Sequence, residues 1–490
     1  MAGGAGPQVR ALRLALAGLI LLVPAAPPGS GLRAAAPGAA AQTASAALDR
    51  LARDLLAELV AIDTTDARGD NTRAAEAMAA RLRAAGLPAE DVRVLAPAPR
   101  KGNLVARLRG TGRARPILLL AHLDVVEARR EDWSVDPFAL VERDGFFYGR
   151  GTTDDKGMAA IFVANLIAYR REGFRPSRDI ILALTADEEG GDHNGVQFLL
   201  ERHRDLIDAE FCINEGGDGQ LRGGRRLLNE VQAAEKVYLS FRLEVRNPGG
   251  HSSLPVPDNA IYRLAGGLVR LSAFRFPARL NEVTRGFFER MAPIEGGQAG
   301  EDMARLAAGG TDGALTGEAA AAADRLSASS ALYNALLRTT CVPTRLEAGH
   351  AENALPQTAR AVVNCRLLPG EDPAAVERTL EGVLADAAIA VAPIGQARPS
   401  PPSPLRPDVM AAVERVTAAL WPGVPVVPTM ATGATDGLYL RNAGIPTYGV
   451  SGIFLDVDDV RAHGRDERVG VREFYEGREF LYRLVKELAR

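Results

Sequence analysis

Acidic residues and histidines recur along this chain just after apolar runs. They are His122 with Asp124, the pair Asp154-Asp155, the pair Glu188-Glu189, Glu215 and, far downstream, His463. Carboxylate oxygens mixed with imidazole nitrogens suit divalent zinc, with manganese and cobalt as alternatives. Five ligands with one carboxylate shared are enough for two ions, and two adjacent ions are an arrangement for hydrolysis by an activated water. Each feature alone has a plain structural explanation: a hydrogen-bonded histidine, a solvated Glu-Glu face, an Asp N-cap. Four such clusters after four successive buried strands make the plain explanation hold only if it holds independently each time.

The elements needed to position these residues are legible as periodicity. Helical spacing covers 46–62, with Leu48, Leu51, Leu55, Leu56 and Leu59, and a second helix fits 71–85 before Gly86 and Pro88. Residues 103–108, 116–121 and 211–214 read as strands, 180–185 as a buried strand, and 158–171 and 196–204 as helices. Continuous apolar strands alternating with helices predict an α/β fold, a mostly parallel sheet covered by helices. Ligands of such sheets gather at the carboxyl ends of the strands, where these candidates sit. From Lys236 the pattern changes. Residues 237–245 and 359–368 alternate apolar and polar, as half-buried antiparallel strands do, and helices at 260–271 and 373–385 complete a small α+β unit. The segment 281–330 reads as a partly helical insertion within that smaller domain, and the proline-rich 396–407 as a linker. A helix at 408–420, a strand at 445–449 and a closing helix at 471–488 return to the first domain. The expected division is 1–41 an export signal, 42–235 the first part of a catalytic domain, 236–398 an inserted lid, and 399–490 the second part.

Bulk properties narrow the function. The chain has 490 residues, 47% of them hydrophobic, and a net charge of −3, so more than one core is expected and no basic stripe invites nucleic acid. Arg10 and Arg13 precede the apolar run 14–26 and a zone of small residues, the layout of an export signal; the apolar run is too short to span a bilayer. A periplasmic or extracellular destination follows. Of the three cysteines, Cys212 sits in an apolar run as a core thiol, while Cys341 and Cys365 can pair only if their strands are neighbours.

Several motifs together resemble one family. Tyr148-Gly149-Arg150-Gly151 with Asp154-Asp155-Lys156-Gly157, then Asp187-Glu188-Glu189-Gly190, then His463-Gly-Arg-Asp466-Glu467-Arg468 resemble the dinuclear zinc aminoacylase/carboxypeptidase family. That family includes succinyl-diaminopimelate desuccinylase, acetylornithine deacetylase and glutamate carboxypeptidase, and the length and N-terminus look most like its carboxypeptidase S branch. The resemblance implies that His122 and Glu215 hold one metal, that Glu189 and His463 hold the other, and that Asp154 bridges them. It makes Asp124 the residue that orients His122 and Glu188 the general base. The choice of Asp154 over Asp155, and of Glu188 over Glu189, comes from the family's register. The smaller domain is then a lid that also dimerises. His251 in Asn247-Pro-Gly-Gly-His251 would steady an oxyanion, often in the partner subunit's site, and Asn353, Arg366 and Thr435 would contact substrate. The implied reaction is hydrolysis of an amide next to a free carboxylate, in a small peptide or an N-acyl amino acid, as carboxypeptidase, dipeptidase or deacylase. The rival outside enzymes is a periplasmic peptide- or metal-binding protein without turnover.

Overall fold

In this computed structural model the described residues are 39–310 and 313–490. The expected export signal lies, but for its last three residues, outside them. A ten-stranded mixed sheet organises the larger part of the molecule. Its order is Val92–Leu95, Asn103–Leu108, Ile180–Thr185, Ile117–His122, Phe211–Asn214, Thr447–Gly449, Arg225–Glu235, Gly219–Arg222 and Phe454–Asp456, with Val426–Ala431 also paired to Arg225–Glu235. The strands that run through the centre, Ile180–Thr185, Ile117–His122, Phe211–Asn214 and Thr447–Gly449, are mutually parallel. Antiparallel pairs flank them. Ile117–His122 and Ile180–Thr185 are buried at every position, which is why they appear in the sequence as unbroken apolar runs. Helix Lys156–Arg171 is apolar nearly all round because it lies between the sheet and helices Asn71–Ala84 and Val471–Leu488.

A second sheet, in the order Thr340–Ala348, Thr358–Leu367, Val237–Arg246, Ile389–Ile394, is wholly antiparallel. Its two central strands alternate between buried and open positions. The buried face packs under helices Ala260–Ala273 and Pro373–Leu384 as a separate core. Cys341 stands opposite Cys365 in neighbouring strands and is joined to it by a disulfide, while Cys212 is a free, buried thiol.

The helices between these strands depart from expectation. The stretch assigned to the smaller domain, 281–330, folds into helices Glu282–Glu295, Gly297–Ala307 and Gly317–Ser329, with Ala331–Leu337 following. Their apolar residues Val283, Phe287, Met291, Leu306 and Leu326 join the core of the large sheet. Helix Glu282–Glu295 lies on strand Val426–Ala431. The physical reason is that the antiparallel sheet's buried face is already covered by its own two helices. The expected linker is also more than a tether. Residues 396–406 form neither helix nor strand, yet Ser400 and Ser403 are buried, and Ser403 Oγ donates to Thr447 O and accepts from Thr447 N, both at 2.8 Å. No helix among the described residues is long and apolar enough to cross a membrane.

Candidate metal centre

The ligand candidates converge at the carboxyl ends of the central parallel strands. His122 is the last residue of Ile117–His122, Glu215 follows Phe211–Asn214, and Glu188 and Glu189 lie in the loop after Ile180–Thr185. Asp154 immediately precedes helix Lys156–Arg171 across a cis peptide to Asp155. His463 arrives from a loop that a three-stranded sheet holds in place, in which Arg468 pairs with Tyr148. His122 Nε2 lies 2.9 Å from Asp154 Oδ1 and 3.7 Å from Glu215 Oε1. His463 Nε2 lies 3.0 Å from Asp154 Oδ2 and 3.0 Å from Glu189 Oε1. Two groups of three result, His122–Asp154–Glu215 and Asp154–Glu189–His463, each with ligand atoms within 4.8 Å of one another and with Asp154 common to both. In the first only His122 is buried, with Asp154 and Glu215 half-buried, and the second opens further to solvent, with the His463 side chain 56% exposed.

The electrostatics fit a cation at each group. His122 Nδ1 donates to the Asp124 main-chain carbonyl at 3.0 Å, which leaves Nε2, facing the carboxylates, as the coordinating nitrogen. The Asp124 carboxylate, expected to orient this ring, stands 3.6 Å away, too far for a hydrogen bond, and accepts Glu189 N–H at 2.9 Å instead. Burial, and then the charge of Glu215, hold the Glu188 carboxyl well above the usual range. Burial with the charge of Asp154 raises Glu189 to about 7, and burial raises Glu215. Burial also pushes Asp154 up, but the hydrogen bonds from His122 and His463 outweigh it, so its carboxyl is lowered overall. The hydrogen bond to Asp154 lifts His463 to about 9. Carboxyl groups thus outnumber imidazoles in a partly dry crevice and draw on protons for compensation. Glu189 Oε1 has no hydrogen-bond geometry to any partner although His463 Nε2 is 3.0 Å away, as expected of two ligands aimed at a shared third atom. Donor types, the buried oxygen without a partner and the shared carboxylate all fit two divalent ions.

The residues expected to touch substrate are not gathered at one point. His251 and Asn353 lie together at an exposed ladder in which His251 pairs with Ala354. His251 Nδ1 accepts Ser253 N–H at 3.2 Å, which leaves Nε2 to carry the ring's outward donor. Arg366 lies at the other end of strand Thr358–Leu367, half-buried, its guanidinium 4.8 Å from the Tyr238 ring centroid. Eight residues of extended chain separate it from Thr358, roughly 26 Å. The strand thus sets Arg366 and the His251–Asn353 ladder toward opposite ends of the small domain. Thr435 is turned away from its expected role. Its hydroxyl donates to Glu235 at 2.9 Å and accepts Gly437 N–H at 3.1 Å, because the buried Glu235 carboxylate needs donors. Glu235 also takes Ser400 Oγ at 3.0 Å and pairs with Arg441.

The sequence places Asp436 only within a loop resembling one that lines the pocket, and gives no role to the pair Arg150–Glu467. Asp436 accepts Asn194 Nδ2 at 2.6 Å beside Thr185, and burial raises it to about 7. Arg150 and Glu467 stood inside motifs already singled out, yet 317 residues separate them in the chain.

The sequence matches peptidase family M20/M25/M40 over residues 118–487. It is 31% identical over 361 residues to the N-fatty-acyl-amino acid synthase/hydrolase PM20D1 of Xenopus tropicalis, covering 72% of this chain and 69% of the relative. It is 28% identical to the probable carboxypeptidase S-like 2 of Dictyostelium discoideum, covering 76% and 71%. Among solved structures, the M20 metallo-carboxypeptidase Sso-CP2 of Sulfolobus solfataricus aligns with a TM-score of 0.63 at 17% identity, over 89% of this chain and 99% of that one. Human carnosine dipeptidase 1 aligns with a TM-score of 0.60 at 18% identity, over 93% and 100%. With the mixed, mostly parallel sheet, the separate antiparallel domain and the shared-carboxylate cluster in place, the chain belongs to the M20/M25/M40 family of metallohydrolases.

Proposed function

We propose that this protein hydrolyses the amide bond of an N-acyl amino acid, at a site that holds one ion through His122, Asp154 and Glu215 and a second through Asp154, Glu189 and His463. The observation that carries the reading is the pair of ligand groups joined at Asp154, with the Glu188 carboxyl beside them. Two divalent ions there, zinc by donor type with cobalt and manganese as alternatives, would polarise the amide carbonyl and make water acidic enough to lose a proton near neutrality. Glu188 is the residue that moves protons. Buried beside Glu215, its side chain, ionised when the two ions are bound, would take a proton from attacking water and return it to the leaving amine nitrogen. Arg366 has a half-buried guanidinium stacked on Tyr238, which suits a substrate carboxylate. His251 and Asn353, at the far end of the same domain, would serve the site of a second copy in a homodimer. The N-acyl reading is favoured over a dipeptide by the Xenopus tropicalis relative; the carboxypeptidase S-like relative keeps peptides as the second reading.

Glu188→Gln is expected to retain both ions and to lose about 10²–10⁴-fold in turnover. A panel of N-acyl amino acids and dipeptides, assayed beside metal analysis, checks this. Turnover at the parent rate in the variant would remove Glu188 from its role, and parent protein holding two ions but cleaving neither class would remove the function.

We also propose export. A basic start followed by an apolar run precedes the fold, and the Cys341–Cys365 disulfide favours an oxidising compartment. Mass spectrometry of the protein from its native host is expected to find the mature N-terminus near residue 41; retention of residues 1–30 would count against it.

A further inference from the structure

The Asp154 loop and the His463 loop are fastened by a buried ion pair that touches no ligand atom. Arg150 Nη1 donates to Glu467 Oε2 at 2.7 Å, and both side chains are essentially excluded from solvent. The other oxygen, Glu467 Oε1, accepts three donors from the opposite loop: Thr153 N at 2.8 Å, Thr153 Oγ1 at 2.8 Å and Asp154 N at 3.2 Å. In return Arg150 Nη2 reaches the main-chain oxygen of His463 at 3.4 Å, and Gly149 N donates to Glu467 O at 3.1 Å. The Arg150 guanidinium rests 5.0 Å from the Trp133 ring centroid, which closes one side of the pair. Beyond the pair, the antiparallel register of Arg468 with Tyr148 sets the two loops side by side.

We propose that Arg150 and Glu467 are positioning residues whose task is to fix the backbone under the shared ligand Asp154 and under His463, and so to hold the solvent-facing ion. This rests on the two-ion reading above. Stability alone is a weak account of the pair, because buried ion pairs rarely repay the desolvation of both charges. Their hydrogen bonds, by contrast, end on the main chain of Asp154, its neighbour Thr153 and His463. A carboxylate that takes the Asp154 N–H sets where that residue's side chain starts, and a guanidinium that holds the His463 carbonyl sets where the imidazole starts. His463 needs such support, since it is a positive-φ residue on an exposed loop.

The test uses full-length protein loaded with zinc and titrated against a competing chelator, so that the two ions are released in separate steps. Parent protein must first show two ions; fewer would defeat the two-ion reading itself. Given two, Glu467→Gln is expected to weaken about 10–100-fold the ion that His463→Ala also weakens, the usual cost of losing a group that orients a ligand, and to weaken the other ion, which it reaches through Asp154 alone, by less. Excess zinc should then restore turnover with KM unchanged. Should the single variant fail to fold because Arg150 is left unpaired, Arg150→Met combined with Glu467→Gln removes both charges and carries the same expectation. Thr153→Val, which removes one donor to Glu467, decides if neither folds: the ion that His463→Ala weakens should weaken several-fold. Unchanged affinity for both ions, or a loss confined to the ion that His463→Ala leaves intact, overturns the proposal in any of these variants.

Discussion

Asp124 divides its acceptors between two ligands. Its main-chain oxygen holds the His122 ring, and its Oδ2 holds the backbone of Glu189, while Oδ1 is buried without a partner. Each ion therefore has one ligand that depends on this residue, but by different atoms. Asp124→Ala removes the acceptor for Glu189 N–H and leaves the carbonyl for His122. The expected loss, about tenfold or more in metal affinity, thus falls on the Glu189 ion. Asp124→Asn keeps an acceptor and should recover most of it. Competition titration of the two variants checks this, and equal loss of both ions would show that the carboxylate's charge matters more than its hydrogen bond. At this scale the sequence was informative about residue types and silent about partners. Carboxylates and imidazoles after apolar runs identify the ligands, but nothing in Asp154-Asp155 or Glu188-Glu189 says which member faces an ion. A pairing such as Arg150 with Glu467 leaves no local pattern.

Elements were legible where burial is simple. Strands 180–185 and 211–214 appear as mostly apolar runs at their true bounds because both of their faces are covered. Strand Arg225–Glu235 did not appear. It carries buried Asn229, Gln232 and Glu235, which pair with Thr417 and with one another, so neither apolar alternation nor an apolar run marks it. Val426–Ala431 was hidden by Pro428, a residue that argues against a strand. It is tolerated because, among the described residues, this strand has a single strand neighbour. The small domain's outline was readable from alternation. The destination of helices 282–337 was not, since an apolar helix face shows that a partner exists and not which one.

Across the whole molecule, the passage between the two sheets is made at Lys236. Its Nζ donates to Arg338 O at 2.7 Å and lies 3.3 Å from Thr340 Oγ1, and burial lowers the amine to about 7. The unfolded chain holds this proton up to about pH 10.4. Between roughly pH 7 and 10 it therefore binds more protons than the folded chain, and stability rises with pH through that window by up to about 1.4 kcal/mol per unit from this residue. Lys236→Met should flatten the rise. Denaturant unfolding of both proteins from pH 7 to 10 measures it, and parallel slopes would exclude the residue as the source.

The neighbouring carboxylate has a consequence for remodelling. Glu235 ends the outgoing strand, Ser400 belongs to the returning segment, and Thr435 and Arg441 belong to neither, yet all four are tied through one pair of oxygens. A chimaera that exchanged the antiparallel module for a foreign one would have to splice after Val237 and before Arg398. Cuts placed even a few residues further out would sever this knot and loosen the Thr435-Asp436 stretch, however well the transplanted piece folded by itself.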